Sequence, residues 1–252
     1  MAIEQYSEKI KRGRELIDDL LQSVEQLRSD AQHARRQGRS AKSAEERDRL
    51  FGDAKDGFSD AIKRLERGLR ITRRRETGYT PDVCRILESL SQTYGSLGGT
   101  CRDSGDMSEA IKKYDLGNDI ETERRNNCKA QDTYNMLQRL IVRLLVNPNL
   151  LEVDSEFRAE IESVRSVIEK QIEGGRDDSW ALADLAVSRF LCGATADKAV
   201  ADLEHRKIEG SFYESTYTAI RSLIDEGLGN GGQLGERLDD FQRMLQRRGG
   251  IR

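Results

Sequence analysis

One helical segment occurs twice in this chain, and this repetition constrains the fold more than any other feature. Residues 56–68 read DGFSDAIKRLERG, and residues 105–117 read GDMSEAIKKYDLG. In both copies apolar and small residues recur every three or four positions, which is the period of an α-helix that buries one side. A repeated helix predicts a stack of similar helical units, because each unit buries its apolar face on the next.

The helical period continues along most of the chain. No stretch alternates polar and apolar residues for long enough to predict a strand, and the charged fraction of 35% is typical of long exposed helices. We therefore predict an all-α protein. A long N-terminal helix (residues 1–40) is expected to pack on a helical repeat domain (41–228), which a linker and a C-terminal helix (229–252) follow. A coiled-coil arm is the alternative for the first helix.

The repeated segment resembles the second helix of a tetratricopeptide repeat. Each copy follows a Gly/Asp turn and places large, small, large and small residues in the order of that repeat: Phe58, Ala61, Leu65 and Gly68, then Met107, Ala110, Tyr114 and Gly117. The helix before the second copy agrees, with Tyr94, Leu97, Gly98 and Cys101. The resemblance implies a solenoid of helical hairpins. The copies are spaced more widely than the ~34 residues of that repeat, so we expect an irregular solenoid.

The composition and motifs of the chain give no indication of catalysis, metal binding or export. The chain has no nucleophile motif, phosphate-binding loop or paired histidines, since His33 and His205 stand alone among charged neighbours. No apolar run reaches ~18 residues, and the first residues lack the apolar core of a signal peptide. The cysteines have no C-x-x-C spacing and are expected to be reduced thiols: Cys84, Cys101, Cys128 and Cys192. We therefore predict a cytoplasmic, non-catalytic protein without metal or cofactor.

One predicted helix contains more glycines than a helical repeat of this kind requires. Gly95, Gly98 and Gly99 lie within five residues of one predicted helix, and each costs about 1 kcal/mol relative to alanine. At helical spacing Gly95, Gly99 and Arg102 share one face. This bare strip of backbone either admits a neighbouring helix or accepts a ligand whose anionic group Arg102 holds.

A polar row on a later helix adds candidates for the same site. Asn135, Arg139 and Arg143 follow one another at four-residue intervals; a solvated helix face is the alternative explanation. Acidic residues on the preceding helix are expected to reach these arginines or the hydroxyl groups of a ligand. The full candidate ligand-binding set is Gly95, Gly99, Arg102, Asp115, Glu121, Tyr134, Asn135 and Arg139.

A narrower family resemblance rests on three segments: YGSLGGTCRDSGDMSEAIKKYDLGNDIE, TYNMLQRLIVRLL and WALADLAVSRFLCG. Across residues 50–225 the chain resembles the tetratricopeptide repeats-sensor domains of bacterial conflict systems, relatives of the TRAF-binding region of animal stress kinases. The resemblance implies a non-catalytic module that senses a signal such as a nucleotide-derived ligand and regulates an effector on a separate chain. Asp103 stands where that family often has a second basic residue.

A basic segment remains. Residues 61–75, AIKRLERGLRITRRR, hold seven basic residues and one acid in a protein whose net charge is −3. The candidate partner-binding residues are Arg70, Arg73, Arg74 and Arg75, and an acidic protein surface is the expected partner. A nucleic-acid backbone is the alternative partner, and a solvated helix end is the explanation without any function.

Overall fold

The computed structural model describes residues 2–130, 132–175, 179–201, 213, 216–217, 220–221, 223–225 and 232–249. All regular secondary structure within these ranges is helical, which confirms the predicted all-α class. The described helices are α1 (Ala2–Ser40), α2 (Ala44–Arg75), α3 (Pro81–Asp103), α4 (Met107–Asn127), α5 (Tyr134–Val146), α6 (Leu150–Val153), α7 (Ser155–Glu173), α8 (Ser179–Leu191), α9 (Ala196–Val200) and α10 (Gly232–Gly249). None of them combines the length and the apolar content needed to cross a bilayer.

The chain folds into two compact units, Met1–Asn135 and Met136–Arg252. In the first unit α1 packs on α2, α2 on α3, and α3 on α4.

Side chains at the helix starts satisfy backbone donors that have no partner inside the helix. The Ser43 hydroxyl accepts from the backbone N–H of Glu46 at 3.2 Å, and the Asp106 carboxylate accepts from that of Glu109 at 3.1 Å.

The two copies of the repeat differ in how their helices begin. The second copy follows a turn at Gly105, whose φ of +83° favours glycine, and starts α4. The first copy lies inside α2, which continues without a break through Asp56 and Gly57. The predicted turn before the first copy is therefore wrong. Gly57 serves packing instead, because a Cβ there would lie only 3.0 Å from Cβ of Ala31 in α1.

The repeat positions form the core of the first unit. Phe58, Ala61 and Leu65 of α2 are buried, as are Ala110 and Tyr114 of α4.

The second unit has its own apolar core. Its largest fully buried side chains include those of Leu140, Phe157, Phe190 and Phe241. The Phe190 and Phe241 ring centroids are 4.9 Å apart, so α8 and α10 contact each other through aromatic side chains.

A disulfide bond joins Cys84, near the start of α3, to Cys128, which caps the end of α4. The prediction that all four cysteines are reduced is therefore wrong for this pair. The hairpin of α3 and α4 brings the start of one helix beside the end of the other, with 5.7 Å between the two Cα atoms, a normal separation for a disulfide. Cys101 and Cys192 are free thiols.

Candidate functional site

A buried polar cluster joins α3, α4 and the first turn of α5, and we call it the Asn135 cluster. Nδ2 of Asn135 donates to Oε1 of Glu121 at 2.8 Å and to the backbone oxygen and the hydroxyl of Ser91 at 3.1 Å each. The backbone N–H of Asn135 donates to the same Glu121 oxygen at 3.0 Å. All three residues are buried, so these hydrogen bonds fix where α5 begins against the α3–α4 hairpin.

Two glycines provide the surface on which Asn135 rests. A Cβ at Gly117 would lie 2.4 Å from Cγ of Asn135, and one at Gly95 would lie 2.9 Å from its Oδ1. The same added Cβ at Gly95 would lie 3.0 Å from Cε1 of the Tyr134 ring. The strip at Gly95 thus admits side chains that belong to this chain, and a ligand lying there would have to displace Tyr134 and Asn135.

Gly99 and Arg102 belong to a second polar cluster, formed with the end of α1. Nε of Arg35 and Nε of Arg39 both donate to Oδ2 of Asp103, at 2.6 and 2.7 Å. Nη2 of Arg102 lies 3.7 Å from Oδ1 of the same carboxylate. We call Arg35, Arg39, Arg102 and Asp103 the Asp103 cluster. A Cβ at Gly99 would lie 2.5 Å from Nη2 of Arg35, so Gly99 makes room for this guanidinium.

The electrostatics of the Asp103 cluster favour the charged form of the carboxylate. Burial raises the pKa of Asp103, but hydrogen bonds and charges from Arg39 and Arg35 outweigh burial and leave the pKa below its usual value of 3.8. Burial raises the pKa of Tyr114 well above 10.0, and Tyr134 raises it further through its charge and a side-chain hydrogen bond, whereas the charges of Arg102 and Arg35 act in the opposite direction. Tyr114 therefore stays a neutral hydroxyl within the influence of two guanidinium groups.

The structure separates the predicted ligand-binding residues into groups. Gly95, Glu121, Tyr134 and Asn135 come together in and around the Asn135 cluster, while Gly99 and Arg102 lie at the Asp103 cluster. Asp115 is a half-buried residue of α4. Arg139 belongs to the second unit and pairs there with Glu160, which also accepts from Arg143 at 2.6 Å.

Sequence reasoning missed four members of the two clusters as site residues: Ser91, Arg35, Arg39 and Asp103. A signal existed for Ser91, because it precedes Gly95 and Gly99 at four-residue intervals on the same helix face. Arg35 and Arg39 are also four residues apart on one face of α1. Their partner Asp103, however, is more than sixty residues away in sequence, and no local pattern connects them.

The basic segment of α2 has an exposed face that carries four arginines, which we call the arginine face: Arg64, Arg67, Arg70 and Arg74. The buried residues of α2, such as Leu65 and Thr72, lie on its other side. The four arginines span about 15 Å along the helix and form no ion pair with the described part of the chain. Arg75 is likewise exposed and forms no ion pair with the described residues. Arg73 differs, because it pairs with Glu123 and its guanidinium lies 5.8 Å from the centre of the Tyr79 ring.

A cavity of about 260 Å³ in the second unit is a weaker candidate. Its lining includes Arg158, Cys192 and Arg237. Nη2 of Arg237 donates to the backbone oxygens of Phe190 at 2.7 Å and Ala194 at 3.2 Å, so this arginine holds the end of α8. Among the described residues no three His, Cys, Asp or Glu side chains come together to hold a metal ion, and His205 lies outside that part of the chain.

Comparison with known proteins gives no family. No family model matches the chain, and no curated protein matches it. The arginine face, the Asn135 cluster and the Asp103 cluster are therefore the features on which a function can be argued.

Proposed function

We propose that this protein is a non-catalytic helical binding module, an adaptor or sensor that docks an acidic protein partner on the arginine face of α2. Its partner is an effector on a separate chain, which the module regulates in the cytoplasm. The resemblance to the sensor domains of bacterial conflict systems suggests a role in bacterial defence. The single observation that carries the proposal is the arginine face itself.

The arginine face forms no ion pair with the described residues, and this supports a binding role. Two other exposed arginines of the first unit pair with acidic residues, Arg49 with Asp53 and Arg85 with Asp18. Four neighbouring guanidiniums on one helix face repel one another, and an acidic surface relieves this repulsion. Each exposed ion pair contributes about 0.2–1 kcal/mol, and the concentrated charge also speeds the encounter with the partner.

An acidic protein fits better than a nucleic acid. The arginine face is only about 15 Å long, and the chain as a whole carries a net charge of −3. A long polyanion would meet the acidic remainder of the surface beyond this patch, whereas a protein partner can place its acids opposite the four arginines alone. Binding to duplex DNA is the second candidate function.

We also propose that the helices form a solenoid of tetratricopeptide-like hairpins, and their arrangement supports this. α1 packs on α2, α2 on α3, and α3 on α4, so each helix contacts the next along the chain, as in a solenoid of hairpins. Ala110 is fully buried, and a Cβ at Gly98 would lie 3.0 Å from the ring of Tyr114. Small residues thus admit a large one between α3 and α4, as in that repeat.

The test compares two fluorescent probes, an oligoglutamate peptide and a short duplex DNA, by fluorescence anisotropy at low and at high salt. We expect saturable binding of the peptide that weakens as salt screens the exposed charges, and weaker binding of the DNA. Tighter binding of the DNA, with a steep dependence on salt, would establish the second candidate function. Failure to bind either probe at low salt would refute a binding role for the arginine face.

A further inference from the structure

An exposed isoleucine lies among the arginines near the end of α2. Ile71 is 41% exposed, and the residues three and four positions away from it are Arg67, Gly68, Arg74 and Arg75. Residues at these spacings are neighbours on the surface of a helix. Three exposed guanidinium side chains therefore stand beside one apolar side chain, and the fourth neighbour is a glycine.

The three arginines beside Ile71 form no ion pair with the described residues. The acids closest to them along α2 already have partners. The Glu66 carboxylate accepts a hydrogen bond from the Tyr94 hydroxyl at 2.9 Å, and the Glu76 carboxylate accepts one from the Thr80 hydroxyl. This part of α2 therefore combines positive charge that no described acid neutralises with an apolar centre.

Leu116 of α4 is an exposed apolar residue in different surroundings. It is 42% exposed, which matches Ile71 closely, and Lys112 and Lys113 precede it by four and three positions. Both lysines pair with Glu109, at 3.2 and 2.8 Å. The basic charge beside Leu116 is thus neutralised within its own helix, whereas the charge beside Ile71 is not.

We propose that Ile71 and its neighbours Arg67, Arg74 and Arg75 form a docking site for an acidic segment of a partner protein that carries one large apolar side chain between its acids. The apolar side chain of the partner packs on Ile71, and the acids on either side of it pair with the three arginines. An apolar centre inside a charged rim is the usual arrangement of a protein–protein interface. The inference rests on the proposed docking function and deepens it, because it specifies which acidic segments the module selects.

The expected gain in affinity follows from the exposed fraction of Ile71. Covering the exposed 41% of this side chain corresponds to about a 3–8-fold lower Kd. Burial of apolar surface does not depend on charge screening, whereas pairing with exposed arginines weakens as salt is added. The contribution of the apolar side chain should therefore persist at high salt.

The test uses the full chain and two fluorescent peptides of equal charge, in which one leucine or one alanine stands between two runs of four glutamates. Fluorescence anisotropy measures the Kd of each peptide at low and at high salt. We expect the leucine peptide to bind about 3–8-fold more tightly than the alanine peptide. This ratio should stay the same at both salt concentrations, although both Kd values rise.

One variant and one control locate the preference. Ile71→Ala is expected to bind both peptides with the Kd that the native chain has for the alanine peptide, because the partner's leucine then has no side chain to pack on. Leu116→Ala removes an apolar side chain of nearly equal exposure and is expected to retain the full preference for leucine.

Equal binding of the two peptides to the native chain would overturn the inference, and this comparison requires no variant to fold. A preference that survives in Ile71→Ala, or that Leu116→Ala also loses, would overturn it as well. In each of these cases binding of the oligoglutamate peptide would leave the proposed docking function standing. Failure of every acidic peptide to bind at low salt would refute the docking function together with the inference.

Discussion

Alanine at Gly117 is the most specific perturbation of the first unit. The new Cβ would lie 2.4 Å from Cγ, 2.6 Å from Oδ1 and 2.7 Å from Nδ2 of Asn135. Normal contacts to a Cβ are 3.4 Å or longer, so Asn135 has to move by about 1 Å. Its amide cannot move that far and keep its hydrogen bonds to Ser91 and Glu121, which measure 2.8–3.1 Å.

The magnitude follows from two costs and one gain. Overpacking costs about 1–3 kcal/mol, and a lost hydrogen bond to the buried Glu121 carboxylate costs about 1.5–3 kcal/mol more. The higher helix propensity of alanine offsets about 1 kcal/mol of this loss in the free energy of unfolding. We therefore expect Gly117→Ala to lower the free energy of unfolding by about 1.5–5 kcal/mol.

A matched control is available in the same unit. Gly52 lies inside α2, and a Cβ there would meet nothing within 4 Å. Gly52→Ala is therefore expected to raise the free energy of unfolding by up to about 1 kcal/mol. Urea unfolding followed by circular dichroism measures both variants. Equal stability of the two variants would refute the argument that Gly117 exists to admit Asn135.

Two further predictions concern the disulfide and Asp103. Cys84→Ser is expected to lower the free energy of unfolding by about 2–4 kcal/mol, because the Cys84–Cys128 bond closes a loop with a sequence separation of 44. A reducing agent should destabilise the native chain similarly and leave Cys84→Ser unchanged in urea unfolding; an equal effect on both would contradict the bond. The lowered pKa of Asp103 means that its stabilisation is present above the usual value of 3.8 and is lost as the pH falls below it. Asp103→Asn should therefore be less stable than the native chain at neutral pH, with the difference shrinking in acid, and a difference that stays constant in acid would refute this.

The helical class and the core of the repeat could be predicted because they depend on local spacing. Ala61, Leu65 and Ala110 are buried where the three- and four-residue period placed them. A helix face is determined by neighbours a few residues apart, so a short segment contains the information. The face of α2 that carries its exposed arginines follows from the same spacing.

The partners of the glycines and cysteines could not be predicted in the same way. Gly57 was expected in a turn, but α2 continues through it because α1 passes closely at Ala31. Cys84 meets Cys128, and Arg35 meets Asp103, across long stretches of chain. Such pairs depend on how whole helices pack, and a single sequence does not record that packing.

The composition of the candidate site changed for the same reason. The glycine strip of α3 was expected to face one neighbour, either a helix or a ligand. Instead Gly95 faces Tyr134 and Asn135 at the start of α5, and Gly99 faces Arg35 from α1. The spacing of the glycines determines which face of α3 is bare, but only the packing of α1 and α5 determines what covers each position.

The central claim is that the arginine face serves binding and not folding. The most direct test measures the Kd for the oligoglutamate probe and the unfolding temperature of one variant in which Arg64, Arg67, Arg70 and Arg74 are all changed to Gln. A control with the same loss of charge changes four exposed residues elsewhere in the first unit: Arg36, Lys42, Arg47 and Arg49.

Loss of four exposed ion pairs, at about 0.2–1 kcal/mol each, predicts a Kd that rises about 4-fold to several hundred-fold. The unfolding temperature should not fall, since the four arginines make no ion pair in the described part of the chain. The control should bind the probe nearly as tightly as the native chain. An unchanged Kd in the arginine-face variant, or an equal loss of affinity in the control, would contradict the proposed docking surface.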